Sequence, residues 1–399
     1  MTNVYKTTLM NILYLCKFIG IINISYILES NGLLIQSTDI IYKLLEFTRM
    51  ILLIIFTYYI HKYGAFTQTI NLCNVWSVII ASRISEKRVI QLMNGIIEYD
   101  QKLTSLPRFL FISQHSQKKN YWNKIFIFTL IYYVIVTLVI FKTFPPKTFD
   151  IFTISLFIVR LEFLVDVAVI FSTCFFLQQL DCRFQTLNDS WQYLLPGFIS
   201  VPAGELSHFI TGMTLDKIRL LHAELSDLLR IFSAGYGQML VGFFVFSYTN
   251  TVLTFYYMIH HNAAKIEEST FIYFLNTFMI YMTSLQNVTF ILSIIMAASR
   301  VHEKKRKMIS YLRLIRISNL PANLKIQIKM FINQISIFES DEITAFGIFN
   351  INLNLVVSIL VLLITGLITL IQLKEHPFMK QSVDSLVNYL RNITKGTNK

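Results

Sequence analysis

The chain has 399 residues, of which 54% are hydrophobic and only 15% are charged, and its mean hydropathy is +0.55. A soluble domain has about 25% charged residues, and a soluble chain of this length could not bury so much apolar surface. The composition therefore predicts a protein that crosses a membrane several times and is surrounded by membrane lipid. The net charge of +12 does not indicate a nucleic-acid partner, because the basic residues are concentrated in particular loops.

The first apolar run covers residues 9–28 and belongs to an N-terminal segment that we place at 1–39. Lys17 interrupts the run and no small-residue cleavage site follows it, which argues against a cleavable signal peptide. Two interpretations remain, an eighth span or a helix that lies in the membrane interface. The polar residues Asn11, Lys17 and Asn23 break the run and favour the interfacial helix.

Seven later segments are apolar and approach the roughly 20 residues that a membrane-spanning helix requires. They are residues 40–60, 64–82, 125–141, 151–177, 236–259, 271–297 and 350–373. The first carries three charged residues, Lys43, Glu46 and Arg49, of which the last two are three residues apart and could pair on one helix face. These segments predict an all-α membrane protein with seven transmembrane helices and a single domain over residues 1–399.

Lysine and arginine counts predict the orientation of these spans. Residues 83–124, 178–235 and 298–349 contain 8, 4 and 9 of them, against 4 in the loops on the other side. Basic residues accumulate in cytosolic loops, so we expect a cytosolic N-terminus and an extracellular tail at 374–399. This inverted topology excludes a G-protein-coupled receptor, whose N-terminus is outside.

The long basic loops contain helical patterns of their own. Within 215–229, apolar residues recur at 215, 218, 221, 225 and 228, which is the spacing of one helix face. The stretch from 298 to 349 reads as two helices that are interrupted at Pro321. We therefore predict cytosolic helical extensions of the spans, packed into a bundle below the membrane.

The last span has no charged residue, yet it carries polar residues at regular intervals. They are Asn354, Ser358, Thr365, Thr369 and Gln372. Their spacing places all five along one side of a helix, and we call them the polar stripe. Such a stripe in a membrane faces water or a partner helix rather than lipid. The alternative is that it serves helix packing inside one chain.

The same span carries the residues by which the chain resembles a known family. Insect gustatory receptors, which form the insect chemoreceptor superfamily together with the odorant receptors, end in a Thr-Tyr pair, five apolar residues and Gln-Phe. Thr365 and Gln372 stand at this separation, with Gly366 in place of Tyr and Leu373 in place of Phe. The preceding stretch, residues 344–352, is similar to the sequence that leads into this span in the family.

The resemblance implies a chemosensory, ligand-gated, non-selective cation channel in the plasma membrane. Four subunits, identical or mixed with other gustatory receptors, would surround a pore lined by the last span, and a small-molecule tastant would bind among the earlier spans. We expect Leu373, with Ile368 or Leu362, to form the closed constriction, and Gln372 to offer oxygen atoms to ions. Leu367 occupies a position that is often acidic in sugar-sensing members, which favours a bitter or other non-sugar tastant.

The fourth span carries three charged residues, Arg160, Glu162 and Asp166. Counted from residue 151, Arg160 lies about ten residues into the span, roughly 15 Å deep, where a charge faces a cavity or a partner. We interpret these residues either as part of a polar ligand pocket or as structural ion pairs with another span. Aromatic residues of other spans could complete such a pocket, namely Tyr132, Tyr133, Tyr256, Tyr257, Tyr273 and Tyr281.

Catalytic and metal-binding patterns are weak. His222 and Asp227 match a short acyltransferase pattern, but they lie on a charged helix without a companion motif, so we predict that the chain is not an enzyme. Apart from Glu267 and Glu268, His260 and His261 have no carboxylate or cysteine at metal-ligand spacing, and we predict no metal and no cofactor. Two alternatives stay open: an odorant-receptor-type subunit that needs a co-receptor, and, in a different class, a multispan transporter or enzyme.

Overall fold

The computed structural model of the chain is almost entirely α-helical. It describes residues 3–29, 32–63, 66–104, 121–143, 160–200, 205–263, 270–313, 322–338 and 342–372. Within these residues there are nine helices and two short antiparallel hairpins. The structure confirms the prediction of an all-α architecture.

The elements follow one another in a simple order. The helices are α1 (Asn3–Ile19), α2 (Ile40–Tyr63), α3 (Phe66–Leu103), α4 (Tyr121–Thr143), α5 (Leu161–Ser200), α6 (Glu205–Ala263), α7 (Thr270–Arg313), α8 (Ala322–Phe338) and α9 (Leu353–Gln372). The hairpin of β1 (Tyr26–Leu28) and β2 (Leu34–Gln36) follows α1. The hairpin of β3 (Thr344–Ala345) and β4 (Phe349–Asn350) precedes α9.

Each predicted span overlaps one helix, although the first residues of the fourth, 151–159, lie outside the described part of the chain. Helices α3, α5, α6 and α7 continue well beyond the spans, with lengths of 38, 40, 59 and 44 residues. Among the described residues, five helices are long and apolar enough to cross a membrane, namely α4, α5, α6, α7 and α9. The chain is therefore a multipass membrane protein, while the count of seven spans and their orientation stay predictions.

The extensions form a packed helical bundle, as the periodicity of residues 215–229 predicted. All five apolar residues of that pattern are buried: Leu215, Ile218, Leu221, Leu225 and Leu228. The predicted interruption at Pro321 lies outside the described residues, between α7, which is described as far as Arg313, and α8, which begins at Ala322, and it stays a prediction. Burial of such stripes, rather than intrinsic propensity, supplies most of the stability of long helices in a folded chain.

Helices α3 and α6 make the most extensive contact between two helices in the described fold. Gly242 permits part of this approach, because a Cβ atom there would lie 2.7 Å from Ser77 Oγ. Helices α5 and α7 complete the interior, and α2, α4 and α9 lie at the periphery. In α5, 72% of the apolar stretch that could span a membrane is buried inside the chain. The corresponding share is 6% in α4 and zero in α9.

The N-terminal helix α1 packs one face on α5. Leu9, Ile12 and Cys16 are buried on that face, whereas Tyr14 and Phe18 are 63% and 68% exposed on the other. The helix has 17 residues and is not among the five that could cross a membrane. An amphipathic helix of this kind suits the interfacial placement, which stays a prediction.

Glu46 and Arg49 of α2 are paired with each other and with α3. Arg49 Nη2 and Arg83 Nη2 both contact Glu46 Oε1, which confirms the predicted pairing of Glu46 with Arg49. Arg49 Nη1 also donates to the Lys17 carbonyl oxygen at 2.5 Å. Arg83 directly follows the predicted span 64–82 of α3, and Glu46 and Arg49 lie in the first half of α2. The three charges are therefore grouped near one end of each predicted span.

Candidate functional site

Helix α9 lies on the outside of the chain and exposes the polar stripe. All five stripe residues are exposed: Asn354, Ser358, Thr365, Thr369 and Gln372. The opposite face of α9 packs on α6 and α7, where Leu355, Val356 and Ile359 contact the hydrophobic core. Within the described residues, the stripe therefore does not serve packing inside one chain, which was the alternative explanation for it.

The stripe hydroxyl groups donate to the backbone of their own helix. Ser358 Oγ donates to Asn354 O at 3.3 Å, Thr365 Oγ1 to Val361 O at 2.9 Å and Thr369 Oγ1 to Thr365 O at 2.9 Å. Each hydroxyl oxygen keeps lone pairs that can accept a hydrogen bond from water or contact a cation. The stripe can therefore present oxygen atoms without leaving unpaired O–H donors.

An apolar half of the exposed face runs beside the polar stripe. Its exposed members are Leu353, Val357, Leu360, Val361, Ile364, Ile368 and Ile371. Of the residues predicted to form a constriction, Ile368 belongs to this half, and Leu362 is exposed at the other edge of the stripe. Leu373 lies outside the described residues. The surface of α9 is thus divided lengthwise into a polar half and an apolar half.

A ring cluster around Phe163 joins three helices. The ring centroids of Tyr132 and Tyr133 on α4 lie 6.0 and 5.6 Å from that of Phe163 on α5, and the centroid of Phe290 on α7 lies 6.4 Å from it. The guanidinium carbon of Arg160 lies 5.3 Å from the Phe163 ring centroid, within the range of a cation–π interaction. The structure thus brings the predicted residues Tyr132, Tyr133 and Arg160 together around Phe163. We call these four residues, together with Phe290, the Phe163 cluster.

Arg160 lies directly before α5. It has a left-handed φ of 39°, and α5 begins at the next residue, Leu161. Arg160 is therefore not inside α5, while its depth in the predicted span stays a prediction, because residues 151–159 lie outside the described part of the chain. Its carbonyl oxygen accepts the N–H of Phe163 at 2.9 Å and so begins the helix. A non-glycine residue at this φ is uncommon and marks a locally constrained backbone.

The guanidinium group of Arg160 places a donor beside the aromatic rings. Its Nη1 atom is buried and has no hydrogen-bond partner among the described residues. Nearby, Tyr132 Oη donates to Gln286 Oε1 at 2.9 Å, which connects α4 to α7. Aromatic walls with a few polar groups are typical of small-molecule sites. The arrangement can therefore hold a compact ligand that carries a hydrogen-bond acceptor.

Asp166 takes part in a hydrogen bond between helices. Asn74 Nδ2 on α3 donates to Asp166 Oδ1 at 3.0 Å, and one turn away Asn250 Nδ2 on α6 donates to Asn71 Oδ1 at 2.9 Å. These contacts fit the structural interpretation of Asp166. Glu162 lies in the first turn of α5, two residues after Arg160.

Of the four remaining predicted aromatic residues, the two whose side chains the structure describes, Tyr256 and Tyr281, are not part of the Phe163 cluster. Tyr256 is buried in α6, and Tyr281 is 52% exposed on α7. The side chains of Tyr257 and Tyr273 lie outside the part of the chain that the structure describes. Conversely, the sequence did not single out Phe163 or Phe290, since the chain has 34 Phe and nothing local distinguishes these two.

These features define a multipass helical membrane protein with a polar-striped helix at its periphery and an aromatic, cationic cluster among its other helices. The sequence profile described as 7tm Chemosensory receptor matches residues 11–376, and the chain belongs to that family. This confirms the resemblance seen in the last span at the level of chemosensory receptors. It also confirms that the chain is a receptor rather than an enzyme.

A solved structure shows the same fold. The insect olfactory receptor OR5 from Machilis hrabei, determined in complex with eugenol, superimposes with a TM-score of 0.57. The two chains are 14% identical, and the similarity covers 92% of this chain and 99% of that one. No curated protein matches the chain in sequence.

Proposed function

We propose that the chain is a gustatory receptor that acts as a ligand-gated, non-selective cation channel in the plasma membrane. Four copies, or copies mixed with other gustatory receptors, surround a pore, and each contributes α9 to the pore wall. A small-molecule tastant binds among the other helices and opens the pore. Membership of the chemosensory receptor family supports the receptor part of this proposal.

The exposed polar stripe of α9 is the observation that carries the channel proposal. Its five residues point away from the chain that holds them, although α9 has a mean hydropathy of 2.6 over its candidate span. Polar groups that face lipid are unfavourable, so this face requires water or another subunit. A central pore supplies water to the polar half of α9.

The Phe163 cluster is our candidate tastant site. Arg160 provides a buried Nη1 donor that has no partner among the described residues, and Tyr132, Tyr133 and Phe290 provide rings. Helix α7 carries Phe290 and also packs on α9. A ligand that displaces α7 at this cluster can therefore change the position of α9 through direct helix contact.

The basic loops support a cytosolic N-terminus, and the bundle of helix extensions then lies in the cytosol. In this orientation Asn354 is near the cytosolic end of the pore and Gln372 near its outer end. The bundle is the part of each subunit that would hold the tetramer together.

Cysteine modification at the outer end of α9 tests the pore assignment. In cells that express Gln372→Cys, a charged thiol reagent should reduce the current faster when a tastant is present, since an open pore admits the reagent. Ile371→Cys, on the adjacent apolar half, is the matched control and should show no dependence on the tastant. Equal rates at residue 372 with and without the tastant would contradict the pore assignment.

Calcium imaging tests the ligand-gated activity itself. Cells that express the chain alone are challenged with sucrose, quinine and eugenol, and a calcium response to one of them supports a channel of identical subunits. The same cells with Arg160→Gln should need a higher concentration for the same response. An unchanged concentration dependence in Arg160→Gln would remove the Phe163 cluster from the tastant site.

An odorant-receptor-type subunit is the second candidate, favoured by the fold similarity to an olfactory receptor. A response to eugenol and none to sucrose or quinine would support it. Silence of the chain alone, followed by responses when a second chemoreceptor is co-expressed, would indicate a subunit that needs a co-receptor.

A further inference from the structure

Tyr248 of α6 contacts the middle of α9. Its hydroxyl group donates a hydrogen bond to the backbone carbonyl oxygen of Leu362 at 2.8 Å. In an α-helix the same carbonyl accepts the N–H of residue 366, and a carbonyl oxygen has lone pairs for both bonds. The tyrosine therefore attaches α6 to α9 without interrupting the hydrogen bonds of α9.

Gly366 provides the space for this hydroxyl group. A Cβ atom at residue 366 would lie 2.6 Å from Tyr248 Oη, but 3.6 Å from Tyr248 Cζ and 3.4 Å from Val252 Cγ2. The clash is thus with the hydroxyl oxygen and not with the ring. Glycine is unfavourable inside a helix, and its presence here is explained by the hydroxyl group that it accommodates.

A second attachment to α6 lies at the hairpin that precedes α9. The backbone nitrogen of Phe346 sits against Gly237, where a Cβ atom would lie only 2.5 Å from it. The N–H of Thr344 also donates to Ser233 Oγ at 3.4 Å. This attachment includes backbone atoms of the hairpin that pack closely on Gly237, whereas the attachment through Tyr248 can be released by rotating one side chain.

We propose that Tyr248 and Gly366 form a releasable latch between α6 and α9 that helps to set the balance between conducting and non-conducting arrangements of the pore. The inference rests on the proposed channel function. Because the hairpin fixes the beginning of α9, release of the latch frees the part of α9 beyond Leu362, which carries three residues of the polar stripe. Tyr248 is then a positioning residue, since it acts on the pore through α9.

A double-mutant cycle tests the latch. Tyr248→Phe removes the hydrogen bond and should shift the half-maximal ligand concentration by about threefold, as for an average hydrogen bond between membrane helices. Gly366→Ala displaces the hydroxyl group and should shift this concentration at least as far. In the double variant the added methyl group meets the ring at an ordinary contact distance, so its response should equal that of Tyr248→Phe alone.

Thr249→Val is the matched control for loss of a hydroxyl group on α6. Thr249 Oγ1 donates to Val245 O of its own helix at 2.9 Å, so this variant should show no shift. Currents are recorded from the full chain with sucrose, quinine and eugenol as probes, and surface amounts are measured for every variant. Shifts that simply add in the double variant would overturn the latch.

The melting temperature of the detergent-purified protein reports on the contact between Tyr248 and Gly366 without a ligand. Gly366→Ala should lower the melting temperature, and Tyr248→Phe should abolish that effect. A wild-type chain that carries no current, either alone or with a second chemoreceptor, contradicts the proposed function rather than the contact. The melting cycle then decides on the latch, because coupling between the two substitutions supports it and additive effects overturn it.

Discussion

Arg183 on α5 binds Asp100 on α3 through two nitrogen atoms. Its Nε atom lies 2.9 Å from Asp100 Oδ1 and its Nη2 atom 2.6 Å from Oδ2. The third nitrogen, Nη1, donates to the carbonyl oxygen of Gln179 at 2.7 Å. The side chain of Arg183 is only 8% exposed and that of Asp100 is 31% exposed. A largely buried cation in the helix extensions is therefore bound by a carboxylate of a neighbouring helix.

Asp100→Ala should destabilise the bundle, because it leaves the Arg183 charge buried without its carboxylate. Breaking a fully buried pair costs about 3–5 kcal/mol, and we expect about 2 kcal/mol here since Asp100 is partly exposed. Asp216→Ala is the control, since Asp216 is 44% exposed and pairs with Arg219 three residues away. Such a surface pair contributes roughly 0.5 kcal/mol or less. Equal falls in the melting temperature of the two variants would contradict the assigned role of Arg183.

Phe163→Leu should weaken the response to the tastant. Leucine keeps the apolar bulk of the side chain but removes the ring beneath Arg160, so the guanidinium group loses a cation–π contact of about 0.5–2 kcal/mol. We expect the half-maximal concentration in calcium imaging to rise by at most roughly 30-fold, which is about 2 kcal/mol expressed as an affinity ratio. Phe128→Leu on α4, a residue that is 72% exposed, is the control and should respond like the wild type. Identical concentration curves for both variants would place the tastant elsewhere.

Local patterns in the sequence predicted the parts of the fold that depend on neighbouring residues. The five apolar residues at 215, 218, 221, 225 and 228 are buried because residues at helical spacing share one face. The pairing of Glu46 with Arg49 is present because residues three apart are neighbours on a helix. The polar stripe of α9 could be identified for the same reason.

Contacts between distant parts of the chain could not be predicted in this way. Asn74 and Asp166 are 92 residues apart, and their hydrogen bond depends on which helices become neighbours. The start of α5 at Leu161 could not be located from the sequence either, because residues 151–177 contain neither proline nor glycine. The Phe163 cluster combines both difficulties, since it requires three helices to meet at the first turn of α5.

His222 should make the stability of the bundle depend on pH. The residue is fully buried, and its ring lies 6.1 Å from Phe184 and 5.6 Å from Phe331, between ring centroids. Burial, with a smaller contribution from the positive charge of Lys305, lowers the pKa of His222 to about 4. Its ring nitrogens have no hydrogen-bond partner among the described residues. The folded state therefore holds the neutral imidazole.

The sign of the effect follows from the protons that each state binds. Between pH 6.5, the ordinary pKa of an unfolded histidine, and pH 4, the unfolded chain binds a proton at His222 and the folded chain does not. Stability therefore falls as the pH falls through this window, by about 1.4 kcal/mol per pH unit. His222→Leu should make the fall in melting temperature from pH 7 to pH 5 smaller. An equally steep fall in this variant would show that the imidazole is already charged or exposed in the fold.

Gly237→Ala should disturb the beginning of α9, because the new methyl group would lie 2.5 Å from the Phe346 backbone nitrogen and 3.3 Å from the Thr344 carbonyl oxygen. Backbone atoms cannot rotate away, so the hairpin must move, and such overpacking costs about 1–3 kcal/mol. Gly235→Ala, two residues earlier on α6, is the matched control. Its methyl group would meet Arg88 Cβ and Val89 N at 3.4 Å, which is ordinary contact, and alanine favours the helix by up to about 1 kcal/mol.

The two alanine variants should therefore differ in their effect on stability and on the tastant-evoked current. In the detergent-purified protein, Gly237→Ala should lower the melting temperature, and Gly235→Ala should leave it unchanged or raise it. Because the hairpin leads directly into α9, Gly237→Ala should also alter the tastant-evoked current per channel at the cell surface, whereas Gly235→Ala should not. If both variants melted like the wild type, the hairpin would not be held by α6, and α9 would lack a fixed point about which the Tyr248 contact could act.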